Sequence, residues 1–387
     1  MDFMLNDEQR MFHDSVSRFA RAELANGAAE RARSDAFPWD VARKFADFGL
    51  LGITVPHQDG GVGGTLVDAI LAIQAVAECC PRSGDIVQAG NFGPIRTFSE
   101  FASGEQKARF LPDLLAGRAL ISLGMTEPDA GSAVTELATS AQDDGDHCII
   151  NGSKIFGTHS SEGGLFLVYV RFGPGTEGIG SVLIEKGTPG FTIGKASSFM
   201  NGEQWSPLFF DNCRIPKGNV LLGRGGFRRQ IAGFNIERLG NAARAVAVGR
   251  HAFNIAREHA MTRKQFGRSL CEFQGLQWKF ADMAVRLEGA QLLLMRAAVN
   301  AGDGLPSAQE TALAKLACNE AGYFAANEAV QIMGGLGFSE ESTAQYCLRR
   351  TRGWMIAGGS IEILKNRIAE GVFDRRFSQR VESPAAA

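Results

Sequence analysis

Leu165-Phe166-Leu167-Val168-Tyr169-Val170 is the longest unbroken apolar run in this chain of 387 residues. It is rich in branched and aromatic side chains, and it is far shorter than the ~20 apolar residues a membrane helix needs. It reads as a β-strand. Similar short runs surround it: Cys148-Ile149-Ile150, Ser181 to Ile184, Phe191-Thr192-Ile193 and Leu208-Phe209-Phe210. Gly, Pro, Asn and Asp punctuate them, so residues 121–224 are expected to form a small antiparallel sandwich or barrel.

On both sides the spacing turns helical. In residues 1–120, Asn6 with Gln9 and Ser103 with Gln106 fit capping boxes, and Pro38, Pro56, Pro81 and Pro94 cut the rest into helix-length pieces. In residues 225–387, Leu276, Phe280, Met283, Leu287, Ala290 and Leu294 recur at steps of three and four, along one face of a long helix. Ser307 with Glu310 caps another helix. The tail after Phe377 is expected to be frayed. A helices–strands–helices order predicts an α+β protein of three domains and argues against a doubly wound α/β sheet.

Bulk composition excludes several classes. The formal net charge is -2, with 45% hydrophobic and 21% charged residues, values of an ordinary globular protein without a polyanion-binding surface. The seven cysteines are scattered without a C-x-x-C pair and read as reduced core thiols. The six histidines make no ligand pair, so no metal site is expected. The N-terminus lacks the basic start and apolar run of a signal peptide, and a cytoplasmic location is expected. Gly60-Gly61-Val62-Gly63-Gly64 follows a candidate strand, Gly52 to Val55, but it does not match G-x-G-x-x-G and no βαβ alternation continues from it, so it reads as a turn. The chain contains no phosphate-binding G-x-x-x-x-G-K motif and no G-x-S-x-G nucleophile elbow. Arg349-Arg350-Thr351-Arg352 is a basic cluster, expected to make ion pairs or touch a phosphate-bearing ligand.

Four segments carry a resemblance: Met125-Thr126-Glu127-Pro128-Asp129-Ala130-Gly131-Ser132; Asn151-Gly152-Ser153-Lys154-Ile155-Phe156-Gly157-Thr158; Arg263-Lys264-Gln265-Phe266-Gly267 with Glu272-Phe273-Gln274; and Gln331-Ile332-Met333-Gly334-Gly335-Leu336-Gly337-Phe338 followed by Ala357-Gly358-Gly359-Ser360-Ile361-Glu362-Ile363. In order and spacing they resemble the acyl-CoA dehydrogenase family over nearly the whole chain. Gly157 departs from the family pattern, which has Ile there. The resemblance implies an N-terminal helical domain, a β-barrel-like middle domain and a C-terminal four-helix bundle. It also implies FAD bound at a subunit interface, a homotetramer built as a dimer of dimers, and reoxidation by an electron-transferring flavoprotein. It assigns Met125, Thr126, Phe156 and Thr158 to the flavin ring, Ser132 to the cofactor and the ligand near its thioester, and Arg263 and Phe266 to the cofactor of a neighbouring subunit. Gln331, Gly334 and Gly335 fall at its adenosine-diphosphate end, and Ser360 and Glu362 are further cofactor positions. A guanidinium suits phosphate because it makes paired hydrogen bonds, and glycine lets backbone approach phosphate closely.

Dehydrogenation of a thioester needs a base for the α-proton and a donor for the carbonyl oxygen. Many family members carry the base in a Y-E-G-T run, where this chain reads Ala357-Gly358-Gly359-Ser360. Gly358 has no carboxylate, although its N–H can serve the oxygen. A minority carries the base in an E-R pair at the start of the C-terminal domain, and Glu237-Arg238 matches that position. The resemblance therefore makes Glu237 the base and puts Asn235 and Arg238 on the CoA side.

Arg82 and Asp85 fall, by resemblance, at the far end of the acyl chain, with solvated side chains as the alternative. Gly90 to Pro94 and Glu272 to Trp278 resemble the 3-sulfinopropionyl-CoA desulfinase branch, yet Asp85 replaces that branch's arginine and Glu237 a neutral residue. Arg350 replaces an Asp found in many relatives. The expected activity is oxidation of an acyl-CoA or an acyl-carrier-protein thioester. A same-fold desulfinase, monooxygenase or reductase, or a non-catalytic partner subunit, are the competing readings.

Overall fold

The computed structural model describes residues 5–302 and 304–377; the tail beyond Phe377 and the first four residues, on which two of the expectations above fall, lie outside them. Seven helices come first: α1 (Asp7–Leu24), α2 (Ala28–Arg33), α3 (Trp39–Asp47), α4 (Leu66–Cys79), α5 (Gly84–Ala89), α6 (Pro94–Phe101) and α7 (Gly104–Leu115). The Asn6–Gln9 and Ser103–Gln106 capping boxes both form, each satisfying orphan N–H groups of a first turn. Thr65–Asp68 makes a third, at the start of α4. Pro94 sits in the first turn of α6, where its missing N–H costs nothing. The candidate strand at Gly52 to Val55 is instead a series of turns. With no neighbouring strand to pair with, its backbone bonds to the glycine turn: Val62 donates to Gly52, Gly63 to Val55 and Gly64 to Ile53.

Ten strands follow: β1 (Ile121–Gly124), β2 (Ser140–Asp144), β3 (His147–Lys154), β4 (Leu165–Arg171), β5 (Ile179–Glu185), β6 (Phe191–Ile193), β7 (Ser197–Ser198), β8 (Gln204–Trp205), β9 (Leu208–Pro216) and β10 (Val220–Leu222). Eight build one sheet in the order β10-β5-β4-β2-β3-β9-β6, with β1 parallel to β4. The central β4 and β5 are buried on both faces, so they read as continuous apolar runs. β9 alternates buried and exposed because one of its faces meets solvent. β7 and β8 form a separate hairpin.

The chain then returns to helices: α8 (Phe227–Thr262), α9 (Gln274–Ala301), α10 (Ala308–Met333), α11 (Gly335–Phe338), α12 (Ala344–Trp354) and α13 (Ile361–Val372), with a small hairpin, β11 (Lys264–Gln265) and β12 (Arg268–Ser269), after α8. The α9 stripe Met283, Leu287, Ala290 and Leu294 is buried, and Ser307 caps α10. α8 and α10 pack closely where both are small. A Cβ on Gly322 would stand 2.2 Å from the Ala245 carbonyl, and one on Gly249 would stand 2.8 Å from the Gly322 Cα. Asn241 to Gly249 therefore runs alongside Lys315 to Gly322 in the same direction, which brings the C-terminal ends of both helices to one end of the bundle. Among the described residues no helix is long and apolar enough to cross a membrane.

Candidate active site

Glu237 projects from α8, half-buried, and its Oε2 accepts one hydrogen bond, from Gln88 Nε2 at 3.0 Å. Gln88 reaches it because position 240 is glycine: a Cβ there would stand 2.0 Å from Gln88 Oε1. On the open side, a Cβ at Gly93 would stand 3.2 Å from Glu237 Oε2. Burial raises the Glu237 pKa above the ordinary carboxylate value; the Arg244 charge, the Gln88 bond and the Lys315 charge offset only part of that.

The Gly358–Gly359 turn packs against Arg238, Asn241 and Lys315. Both glycines have positive φ, 72° and 93°, a conformation that glycine adopts without a Cβ clash. Among the described residues, the Gly358 N–H donates to no backbone or side-chain group. A Cβ on Gly358 would stand 3.5 Å from both Asn241 Nδ2 and Lys315 Cε, and Asn241 lies one helical turn beyond Glu237 on the same face. Arg238 Nε donates to the Gly358 carbonyl at 3.1 Å, and Arg238 Nη1 to Asn235 Oδ1 at 2.9 Å. Lys315, which sequence reasoning missed, is fully buried and clamps the turn from behind, donating to the Trp354 carbonyl at 3.1 Å and the Gly359 carbonyl at 2.9 Å. Burial, reinforced by the Arg238 charge, pushes its pKa down to about 7 against the pull of Glu237. Its signal in the sequence is a lysine at an inward position of an otherwise small and apolar helix face.

The two β-domain segments meet. Ile155 N–H donates to the Thr126 carbonyl, and Lys154 Nζ donates to the Met125 carbonyl and to Glu127 Oε1 at 2.6 Å. Phe156 lies outside β3, 51% exposed, at φ 57°, in ring contact with Trp205 and Phe199, two aromatics that sequence reasoning did not single out. Phe156 is therefore not part of a buried strand. The Gly157 departure has a steric cause: a Cβ there would stand 2.8 Å from the Leu123 carbonyl. Thr158 and Ser132 are exposed, and the Thr126 and Thr158 hydroxyls have no partner among the described residues. Unpaired donors beside an exposed aromatic shelf suit a planar, hydrogen-bonding ring.

Arg82 and Asp85 are not solvated. Both are buried in a network with Arg244, Arg350, Glu203 and His159. Asp85 Oδ1 accepts from Arg244 and Arg350, each at 2.8 Å, and Arg350 also binds Glu203 at 2.6 Å. Glu203 comes from the β7–β8 hairpin and had no sequence signal. Three guanidiniums face two carboxylates, and Arg82 has only a 3.9 Å approach to Asp85. Burial raises the Asp85 pKa, but Arg350, Arg244 and Arg82 more than reverse it and hold the carboxyl below its ordinary range. Arg350, in the basic cluster, is thus an ion-pairing residue.

The remaining predicted positions lie elsewhere. Arg263 caps the far end of α8, 26 residues and so about 39 Å from Glu237 at ~1.5 Å per residue. Phe266 sits next to it in the β11–β12 turn, 94% exposed at φ 52°. Gln331, Gly334 and Gly335 are exposed at the matching end of α10. Ser360 caps α13, and Glu362 is exposed in its first turn. The structure joins Glu237, Gly358, Arg238 and Asn235, and separately Met125, Thr126, Phe156 and Thr158; it does not bring Arg263, Phe266 or Gln331 to either group.

Residues 6–118, 122–213 and 224–373 match the acyl-CoA dehydrogenase N-terminal, middle and C-terminal domains respectively. The chain belongs to the acyl-CoA dehydrogenase family. It is 35% identical to an acyl-CoA dehydrogenase of Bacillus subtilis (strain 168), over 93% of this chain and 96% of that one. It is 32% identical to a 3-sulfinopropanoyl-CoA desulfinase of Paraburkholderia xenovorans (strain LB400), over 98% and 99%. A glutaryl-coenzyme A dehydrogenase in complex with glutaryl-CoA superposes with a TM-score of 0.92 at 28% identity, covering 98% of each chain. Acyl-CoA dehydrogenases are FAD-dependent oxidoreductases, which agrees with the expected fold, family and cofactor. The exposed aromatic shelf and unpaired hydroxyls of this chain fit such a cofactor.

Proposed function

We propose that this acyl-CoA dehydrogenase oxidises a saturated acyl thioester at its α and β carbons, with Glu237 as the base. The observation that carries the reading is the raised pKa of Glu237, one helical turn before Asn241, which meets a glycine turn that carries no carboxylate and whose Gly358 N–H has no partner among the described residues. With the thioester carbonyl on the Gly358 N–H, the α-carbon faces Glu237. The α C–H bond breaks and its proton passes to a Glu237 oxygen. The electron pair left behind is drawn toward the thioester oxygen, where the N–H stabilises it. FAD, when bound, supplies the acceptor for the β-hydride. Asn235 and Arg238 brace the turn and the carrier side of the substrate. Arg82 and Asp85 close the far end: α5 carries Gln88 against Glu237 and Asp85 against Arg244, and Glu237 and Arg244 lie seven residues apart on α8, about 10.5 Å. That arrangement favours an acyl group with a polar end.

Met125, Thr126, Ser132, Phe156 and Thr158 would hold the flavin ring, with Ser360 and Glu362 nearby. Arg263, about 39 Å from Glu237 along α8, would serve the cofactor of another protomer, together with Phe266, Gln331, Gly334 and Gly335. The proposed assembly is a homotetramer, and α9 carries a surface for assembly: Trp278, Val285, Leu292 and Val299 are exposed and apolar at every seventh residue. Domain limits at 1–120, 121–224 and 225–387, a cytoplasmic setting and an electron-transferring flavoprotein as acceptor complete the reading. Anaerobic mixing of the purified holoenzyme with a panel of acyl-CoA thioesters tests it. Bleaching of the flavin absorbance by a saturated thioester is expected; no bleaching by any of them, with Glu237→Gln behaving as wild type, overturns it.

A further inference from the structure

Arg82, Asp85 and Gln88 recur at steps of three through the turn that opens α5, which puts them on one side of it, toward α8. Gln88 meets Glu237 there, and Asp85 meets Arg244. Arg82 stands one step beyond Asp85, on the side away from Glu237. It is 4% exposed, and among the described residues its guanidinium makes no hydrogen bond; the nearest carboxylate oxygen, Asp85 Oδ2, is 3.9 Å away.

The neighbours leave this cation unspent. Asp85 Oδ1 is shared by Arg244 and Arg350, and Glu203 Oε2 is taken by Arg350. Arg82, Arg244 and Arg350 against Asp85 and Glu203 leave a formal surplus of +1. Glu162, the next carboxylate, makes no ion pair among the described residues. Burial works against the Arg82 charge, but Tyr346, Asp85 and Glu203 more than offset it. Asp85 Oδ2, Glu203 Oε1 and the Tyr346 hydroxyl are buried without hydrogen-bond partners. Buried polar atoms are nearly always paired, so such a group around an idle guanidinium marks a place kept for a polar occupant. The Nε atoms of Arg244 and Arg350 are sealed inside the protein, whereas the Arg82 nitrogens are not.

We propose that Arg82, with the Tyr346 hydroxyl beside it, receives a carboxylate at the far end of the acyl group, so that the substrate is the thioester of a dicarboxylic acid. The proposal rests on the thioester reading above and names its substrate class. A guanidinium takes a carboxylate through two parallel hydrogen bonds, and the incoming charge cancels the surplus. Arg82 has five N–H donors, enough to hold the ligand and still serve Asp85 Oδ2 and Glu203 Oε1. A neutral acyl chain would leave the same donors buried and idle, and that difference is the source of discrimination. Glu237 and Arg244 are about 10.5 Å apart along α8 at ~1.5 Å per residue. An extended chain advances ~1.2 Å per bond, a third of the ~3.5 Å that a residue spans, so this distance takes about eight bonds.

Isothermal titration of the holoenzyme with S-alkyl-CoA thioethers tests this without turnover, because they lack the thioester carbonyl and cannot be dehydrogenated. Neutral thioethers of six to ten carbons are each compared with the ω-carboxy thioether of the same length. The carboxylate is expected to tighten binding about 10–100-fold at the best length. Arg82→Gln is expected to erase that gain, and Arg82→Lys to keep part of it. Equal affinity within every pair, or a gain unchanged in Arg82→Gln, overturns the proposal and leaves the thioester reading standing. If neither series binds, the thioester reading falls and takes the proposal with it. Should Arg82→Gln not fold, the wild-type pairs decide alone.

Discussion

The proposed reaction places proton abstraction on one side chain, Glu237. Glu237→Gln keeps the Gln88 contact and removes the proton acceptor, so a loss of about 10²–10⁴-fold in flavin reduction is expected, read by stopped-flow absorbance. Because burial raises its pKa, the acid limb of kcat/KM should fall above the ordinary glutamate value, with activity growing as the carboxylate ionises. Lys315 acts on it through charge. Lys315→Met removes a cation that favours ionised Glu237, so the acid limb should move to higher pH. A pH–rate profile of that variant with an unmoved limb would show that Lys315 braces the turn by hydrogen bonds alone.

At the level of elements, the contact of α5 with α8 sets the geometry. Gly240→Ala places a methyl against Gln88 and the Phe92 ring, with 2.6 Å to its nearest carbon, and should cost about 1–3 kcal/mol in urea denaturation while pushing Gln88 off Glu237. Asp85 ties α5 to α8 and α12 together, and Glu203 ties the β7–β8 hairpin to α12. Asp85→Ala leaves buried guanidiniums without a counter-charge, and a loss of about 3–5 kcal/mol is expected. The folded state keeps Asp85 ionised to lower pH than the unfolded chain does. Its stabilising contribution is therefore complete above the unfolded value of 3.8 and fades as pH falls toward about 2, so acid-unfolding curves of wild type and variant should differ in slope within that window and run parallel above it.

For the whole molecule, the separation of about 39 Å between Glu237 and Arg263 is the governing fact. One protomer cannot apply both ends of α8 to a single flavin ring. Val285→Asp with Leu292→Asp charges the exposed stripe of α9 and should shift the assembly to a smaller species in light scattering, with loss of bound FAD. A double variant that remains the same size as wild type would move the interface elsewhere.

Much of this was legible in the sequence, because it depends on local periodicity and on motifs. Capping boxes at Asn6 and Ser103, the α9 stripe and the apolar β4 run each encode an element within a few residues, and the Glu237–Gly358 exchange is a matter of residue identity. What only the tertiary structure decided is how distant charges meet. Arg82 and Asp85 looked equally able to be solvated, and nothing near Glu203 or Lys315 in the chain marks them as partners of α12. Burial is set by packing between elements far apart in sequence, and it is burial that turns ordinary carboxylates, guanidiniums and an ammonium into a network with defined protonation.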